Sequence, residues 1–233
     1  MIYYDDLPLS GSVMDALRQL KINYVFQSIF DRDGKIYARE ALMRPCEMNV
    51  VELIELYQKK KMLHVLEVAT LFGATQAYFM RGYTEKLSVN SFPSEIFTEE
   101  EVQAYIEYFG KDKQAMIIES LEYPEYSEEI AGIKRKFADI NANQIALDDF
   151  GTGVNDYSAV AGYDPDIIKI DRTLLEGVDQ DEEKQNNCRA IIETFHMERR
   201  LVVAEGIETV QEYDVMKALG ADLFQGYYLE MPQ

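Results

Sequence analysis

The chain has 233 residues, 47% hydrophobic and 28% charged, which is enough to bury a full core as one globular domain over 1–233. A formal charge of -19 argues against duplex DNA or RNA as a partner, because such binding rests on Lys and Arg neutralising phosphates. No apolar run approaches the roughly 18 residues that span a bilayer, and the opening MIYYDDLPLS lacks the order of a signal peptide, so the expectation is a cytoplasmic protein with no membrane association.

A helical lead-in is expected within residues 1–20, over Ser12 to Leu20, and no chemistry is assigned to it. Ile22 to Phe30 is rich in β-formers, and the turn Asp31-Arg32-Asp33-Gly34 returns the chain to a second strand, Ile36 to Leu42. That strand sets Glu40 among apolar residues, where a carboxylate needs a cation. Apolar residues then recur at helical spacing from Val50 to about Met80, giving two helices with Lys59-Lys60-Lys61 as a solvated turn. Leu87 to Asn90 is a third strand, followed by a helix from about Thr98 to Phe109.

The fourth strand, Ala115 to Ile118, runs into Glu119, with Glu122 three residues on. A helix over Ser127 to Asn141 leads to IALDDFGTG, residues 145–153, in which a buried strand ends in two adjacent carboxylates and a glycine turn. Asp148 and Asp149 point in different directions if the backbone there is extended, so one can bridge two ions while the other holds one. A short helix over Tyr157 to Ala161 precedes a sixth strand, Asp166 to Asp171, which carries Lys169 in its interior. Acidic residues 179–183 read as a surface loop, and a helix follows from about Asn186 to Met197. Leu201 to Gly206 is a seventh strand ending in Glu205, and a last helix, Val210 to Leu219, precedes an eighth strand, Ala221 to Tyr228, which contains Gln225.

Eight strands that alternate with helices from the third onward imply a closed, TIM-like (β/α)8 barrel, the opening hairpin making one strand antiparallel. Active sites of such barrels gather at the C-terminal strand ends, and Glu40, Asn90, Glu119, Asp148, Asp149, Lys169, Glu205 and Gln225 all fall there. Five carboxylates in one cup raise one another's pKa unless cations neutralise them, and oxygen ligands without Cys or His suit Mg²⁺ or Mn²⁺. Cys46 and Cys188 read as free thiols, and the isolated His64 and His196 are not expected to bind metal.

These residues carry a resemblance. Glu40-Ala41-Leu42 with Arg44, IIESLEY at 117–123, IALDDFGTG, IIKIDR at 167–172, VVAEGIET at 202–209 and Gln225-Gly226-Tyr227 resemble, in order, the motifs of the EAL domain family. The family hydrolyses the bacterial messenger cyclic di-GMP. The resemblance implies that Glu40, Asn90, Glu119 and Asp148 hold one of two Mg²⁺ or Mn²⁺ ions, and that Asp148 and Asp149 hold the second with Glu205 close by. It further implies that Lys169 orients or deprotonates the attacking water with Gln225 as its partner, and that Arg44 and Leu42 meet the substrate. Glu122, Gly151, Gly153 and Glu208 would support the loops around the site. The product would be linear 5′-pGpG, and the family's habits imply a homodimer.

The sequence departs from the family's pattern at Ser120 and Leu121, at Val154 to Tyr157, at Met231, and at Ser91, which follows Asn90 directly instead of one residue later. None of these removes an expected ligand. Two other readings remain: a catalytically silent EAL domain that binds cyclic di-GMP or a protein, and an enolase-like barrel in which Lys169 abstracts a proton beside a single Mg²⁺.

Overall fold

The computed structural model describes residues 9, 14, 20–110, 116–121, 127–151 and 157–233. Glu122, Gly153, Val154, Asn155, Asp156 and most of the helix expected over Ser12 to Leu20 lie outside them.

Ile22–Asp31 (β1) and Ile36–Pro45 (β2) form the expected hairpin, paired antiparallel with Gln27 opposite Glu40. Its turn closes because Asp31 Oδ1 accepts the backbone N–H groups of Asp33 and Lys35, both at 2.9 Å. Val50–Lys59 (α1) and Leu63–Met80 (α2) follow, and Asn49 and Glu52 form a reciprocal cap at the start of α1. Almost every face of α2 is buried, which suits a sequence whose apolar residues are not confined to one stripe.

From there strands and helices alternate: Lys86–Ser91 (β3), Glu99–Phe109 (α3), Met116–Ser120 (β4), Glu128–Ile140 (α4) and Gln144–Phe150 (β5). Tyr157–Tyr163 (α5), Ile167–Ile170 (β6), Arg172–Leu175 (α6), Glu182–Met197 (α7), Leu201–Ala204 (β7), Val210–Leu219 (α8) and Leu223–Phe224 (β8) complete the chain. The strands close into one barrel in sequence order, with β1 antiparallel to both β2 and β8 and every other pair parallel. Two apolar clusters lie between the strands and the outer helices, one around α2 and one around α7. Among the described residues no helix is long and apolar enough to cross a membrane.

A third cluster fills the barrel itself: Ile29, Ala38, Ile117, Ala146, Ile167, Val203 and Leu223. Successive strand side chains alternate in direction, so the next inward residue lies two positions on. On β2, β4, β5 and β6 that residue is Glu40, Glu119, Asp148 and Lys169, and just past β7 and β8 it is Glu205 and Gln225. Because β1 runs the other way, the matching residue there is Gln27, two before Ile29. An apolar layer thus floors the barrel, and a polar layer sits directly on it.

Three of the differences from the expected boundaries have a clear physical cause. The β2 strand continues past Leu42 to Pro45, because its pairing with β1 outruns the parallel ladder to β3. The acidic stretch 179–183 is not all loop, since Asp181 caps α7 and Glu182 and Glu183 form its first turn, where carboxylates favour the helix dipole. The β8 strand has two residues instead of eight. After Phe224 the chain turns over Ile207, whose N–H donates to Gln225 O and whose carbonyl accepts from Tyr228 N, both at 3.0 Å. The edge of β1 left uncovered is closed by the tail, where Phe26 and Gln233 exchange backbone hydrogen bonds and Glu230 accepts from Ser28 N.

Candidate active site

The polar layer converges on one ammonium group. Lys169 is 1% exposed, and its Nζ lies 2.8 Å from Glu119 Oε2, 2.8 Å from Asp148 Oδ1, 3.1 Å from Glu205 Oε2 and 3.5 Å from Glu40 Oε2. Four strands other than its own supply those carboxylates. Burial on its own lowers a lysine pKa, but Asp148, Glu119, Glu205 and Glu40 together outweigh it and raise the Lys169 pKa well above the usual range. In turn, burial and the charges of Glu40 and Asp148 push Glu119 up to about 8 against the pull of Lys169. Glu205 is raised well above the carboxylate range, first by burial and then by Asp148, Glu40 and Glu119.

Amides and hydroxyls brace the carboxylates. Glu40 accepts from Gln225 Nε2 at 2.6 Å and from Asn90 Nδ2 at 3.2 Å, an orientation in which the Asn90 amide oxygen can serve as a ligand to a cation. Glu119 also accepts from Ser88 Oγ. Gln225 Oε1 is buried with no hydrogen-bond partner among the described residues.

The Asp pair departs from strand geometry. The pairing of β5 with β6 slips between Leu147 and Phe150, and Asp149 has φ 51°, in the left-handed region. The condition for opposed side chains therefore fails. Asp148, Asp149 and Glu205 instead offer carboxylate oxygens that all lie within 4.8 Å of one another. Three hard oxygen donors at that spacing, beside carboxylates whose pKa values are driven up, form a set that fits a divalent cation such as Mg²⁺ or Mn²⁺.

Two cavities flank the cluster. One of about 270 Å³ is lined by Glu40, Leu42, Arg44, Asn90, Phe92 and Asp148 among others, with the exposed Arg44 donating to Met43 O at 3.0 Å. The other, about 220 Å³, is lined by Gln27, Arg172, Glu205, Glu208, Gln225 and Tyr227 among others. Glu208 pairs with Arg172 Nη2 at 3.1 Å. Gly151 has φ 97° and lies so close to Leu174 that a Cβ there would collide with it.

The structure thus brings Glu40, Asn90, Glu119, Asp148, Asp149, Lys169, Glu205 and Gln225 to one mouth, with Arg44, Leu42 and Glu208 in the flanking cavities. Sequence reasoning missed Ser88, Gln27 and Arg172 as parts of the site. Ser88 was findable, since it stands two residues before Asn90 on the same face of β3. Gln27 was not, because its place depends on β1 running antiparallel to its neighbours.

A barrel with a carboxylate-and-lysine layer at its mouth defines the class, and the comparisons give the family. The sequence pattern of the EAL domain matches residues 10–232, and the chain belongs to the EAL domain family. It is 33% identical over 144 residues to the cyclic di-GMP phosphodiesterase TpdA of Vibrio parahaemolyticus, covering 61% of this chain and 25% of that protein. It is 29% identical over 179 residues to the probable cyclic di-GMP phosphodiesterase PdeA of Escherichia coli, covering 73% of this chain and 24% of that one. The chain therefore spans about a quarter of the length of these curated relatives. The cyclic di-GMP-bound form of a stand-alone EAL protein from Vibrio cholerae O395 has the same fold, with a TM-score of 0.78 at 23% identity over 92% of this chain and 93% of that one. The manganese and cyclic di-GMP complex of Klebsiella pneumoniae BlrP1 gives 0.77 at 22% identity, over 91% of this chain and 56% of that one.

Proposed function

We propose that the chain is a divalent-cation-dependent phosphodiesterase that opens cyclic di-GMP to linear 5′-pGpG, with residues 1–233 acting as one catalytic unit. The observation that carries this reading is the buried layer in which Glu40, Glu119, Asp148 and Glu205 surround Lys169. The relatives named as phosphodiesterases and the BlrP1 complex with manganese and cyclic di-GMP support it.

Glu40, Asn90, Glu119 and Asp148 would hold one Mg²⁺ or Mn²⁺ ion, and Asp148 and Asp149 a second, with Glu205 beside it. Ions bound there supply positive charge that acidifies water and offsets charge on the phosphoryl oxygens. They also relieve an overall charge of -19 that repels an anionic substrate. Arg44 offers a planar fork of donors to a phosphate at the mouth. The two cavities on either side of the cluster match a ligand that carries one guanosine on each side of its scissile phosphate.

In the reaction a water oxygen joins phosphorus, the P–O3′ bond breaks in line with it, and the departing 3′-oxygen takes up a proton. Lys169 orients that water through its N–H groups. A charged ammonium is a donor only, so in that form Lys169 orients the water and takes no proton from it. Gln225 Oε1, buried without a partner among the described residues, is the acceptor that fixes the water's second direction.

The test is incubation of the purified chain with cyclic di-GMP and Mg²⁺ or Mn²⁺, with chromatography for 5′-pGpG. Parallel titrations in Ca²⁺ and in EDTA separate binding from turnover, because Ca²⁺ tolerates looser coordination and supports the chemistry poorly. Metal-dependent 5′-pGpG is the expected result, and tight binding without product in any metal would instead mark a receptor. Asp148→Asn should lower turnover on the order of 1000-fold, because it weakens the carboxylate that would serve both ions. Near-normal activity in that variant would sink the two-ion assignment.

A further inference from the structure

Behind the mouth, on the outer face of the barrel, lies a second set of buried charges that the chemistry does not use. Glu67 on α2 is 1% exposed and Lys134 on α4 is 6% exposed, and their charged atoms are 3.7 Å apart. Ser91, the last residue of β3, joins them: its Oγ donates to Glu67 Oε1 and accepts from Lys134 Nζ at 2.7 Å. Phe92 is held at both backbone groups, its N–H donating to Glu67 Oε2 at 2.8 Å and its carbonyl accepting from Lys134. Four bonds from two helices therefore fasten the two residues that follow Asn90.

A buried ion pair is seldom more stabilising than apolar side chains of the same volume. What it adds here is direction. Ser91 O also accepts from Leu121 N at 3.2 Å, and in the β3–β4 ladder Asn90 stands opposite Glu119 and Ser91 opposite Ser120. Movement at Ser91 would thus shift both Asn90 and Glu119. Phe92, fastened by the same bonds, lines the cavity that contains Arg44.

We propose that Glu67, Ser91 and Lys134 form a positioning clamp that sets the cation affinity of the mouth by holding Asn90 and Glu119 in register, an inference that rests on the metal-site reading above. Ligand-orienting partners behind a metal site typically change its affinity by about 10- to 100-fold when lost. The serine placed directly after Asn90 supplies the hydroxyl that joins the two charges.

The test compares the wild-type chain, Lys134→Met and the double variant Glu67→Leu/Lys134→Met. Free Mn²⁺ is titrated by electron paramagnetic resonance, thermal melting is recorded in EDTA, and turnover of cyclic di-GMP is measured across Mn²⁺ concentrations. Lys134→Met leaves Glu67 buried without its cation and should melt lower. The double variant should regain most of that thermal stability yet bind Mn²⁺ about 10- to 100-fold more weakly, with turnover recovering at saturating Mn²⁺. Wild-type Mn²⁺ affinity in a stable double variant would overturn the clamp and leave the metal site standing. A wild-type chain that binds no Mn²⁺ would overturn the metal-site reading and the clamp with it.

Discussion

A single substitution separates the structural role of Lys169 from the catalytic role proposed for it. Without a divalent ion its ammonium is the counter-charge within 3.5 Å of four carboxylates, two of which are fully or almost fully buried. Removing one partner of a buried ion pair typically costs about 3–5 kcal/mol, because a charge is left without compensation. Lys169→Met should therefore lower the melting temperature sharply in EDTA and recover part of the loss in Mn²⁺, which supplies the missing charge. In saturating Mn²⁺ the variant should still bind cyclic di-GMP but turn it over on the order of 100-fold more slowly. Equal destabilisation with and without Mn²⁺ would mean that Lys169 serves the fold alone. The residues that the parallel strands and β2 bring to this layer were legible in the sequence because each lies two positions beyond an apolar residue at a strand end, as Glu119 lies beyond Ile117 and Glu205 beyond Val203. Which carboxylate contacts which cation was not legible, since those distances depend on how the barrel closes.

At the scale of elements, the sequence pattern located every strand, and it failed where backbone geometry breaks the pattern's period. The Asp148–Asp149 step is one such place, because a bulge is invisible to a rule that assumes strict alternation. The end of β8 is another. Ala221 to Tyr228 reads as one strand by composition, yet Gly226 lets the backbone fold against Ile207 so closely that a Cβ would run into the Ile207 backbone. That contact aims Gln225 at Glu40, since Gln225 O is tied to Ile207 N at 3.0 Å and its side chain to Glu40 at 2.6 Å. Gly226→Ala should cost about 1–3 kcal/mol through overpacking. It should also lower kcat on the order of 10- to 100-fold by displacing Gln225. Thermal melting and steady-state kinetics check the two effects, and a stable, fully active variant would show that the turn has room to yield.

For the whole molecule, the raised carboxylates at the mouth contribute to how stability responds to pH. Unfolded, Glu119 loses its proton near 4.5, whereas in the folded metal-free chain burial beside Glu40 and Asp148 holds that proton up to about 8. Over that window the folded state binds more protons, so this contribution to stability is fully present below about 4.5 and is lost as pH rises through about 8. Glu205, also shifted upward, acts in the same direction. His64 does too, because hydrogen bonds to Glu101 and Glu95 raise it to about 10; its share is complete below about 6.5 and declines as pH rises toward 10. A divalent ion held as proposed would reverse the sign at the mouth alone, since it would bind ionised carboxylates and displace their protons. The difference in melting temperature between Mn²⁺ and EDTA should therefore grow from about pH 5.5 to about pH 8. His64 is remote from those ligands in its contacts, so its contribution cancels in that difference. A Mn²⁺-induced shift that stays constant across this range would mean that the ion does not compete with protons at Glu119 and Glu205, and the assignment of those carboxylates to the cation site would fall.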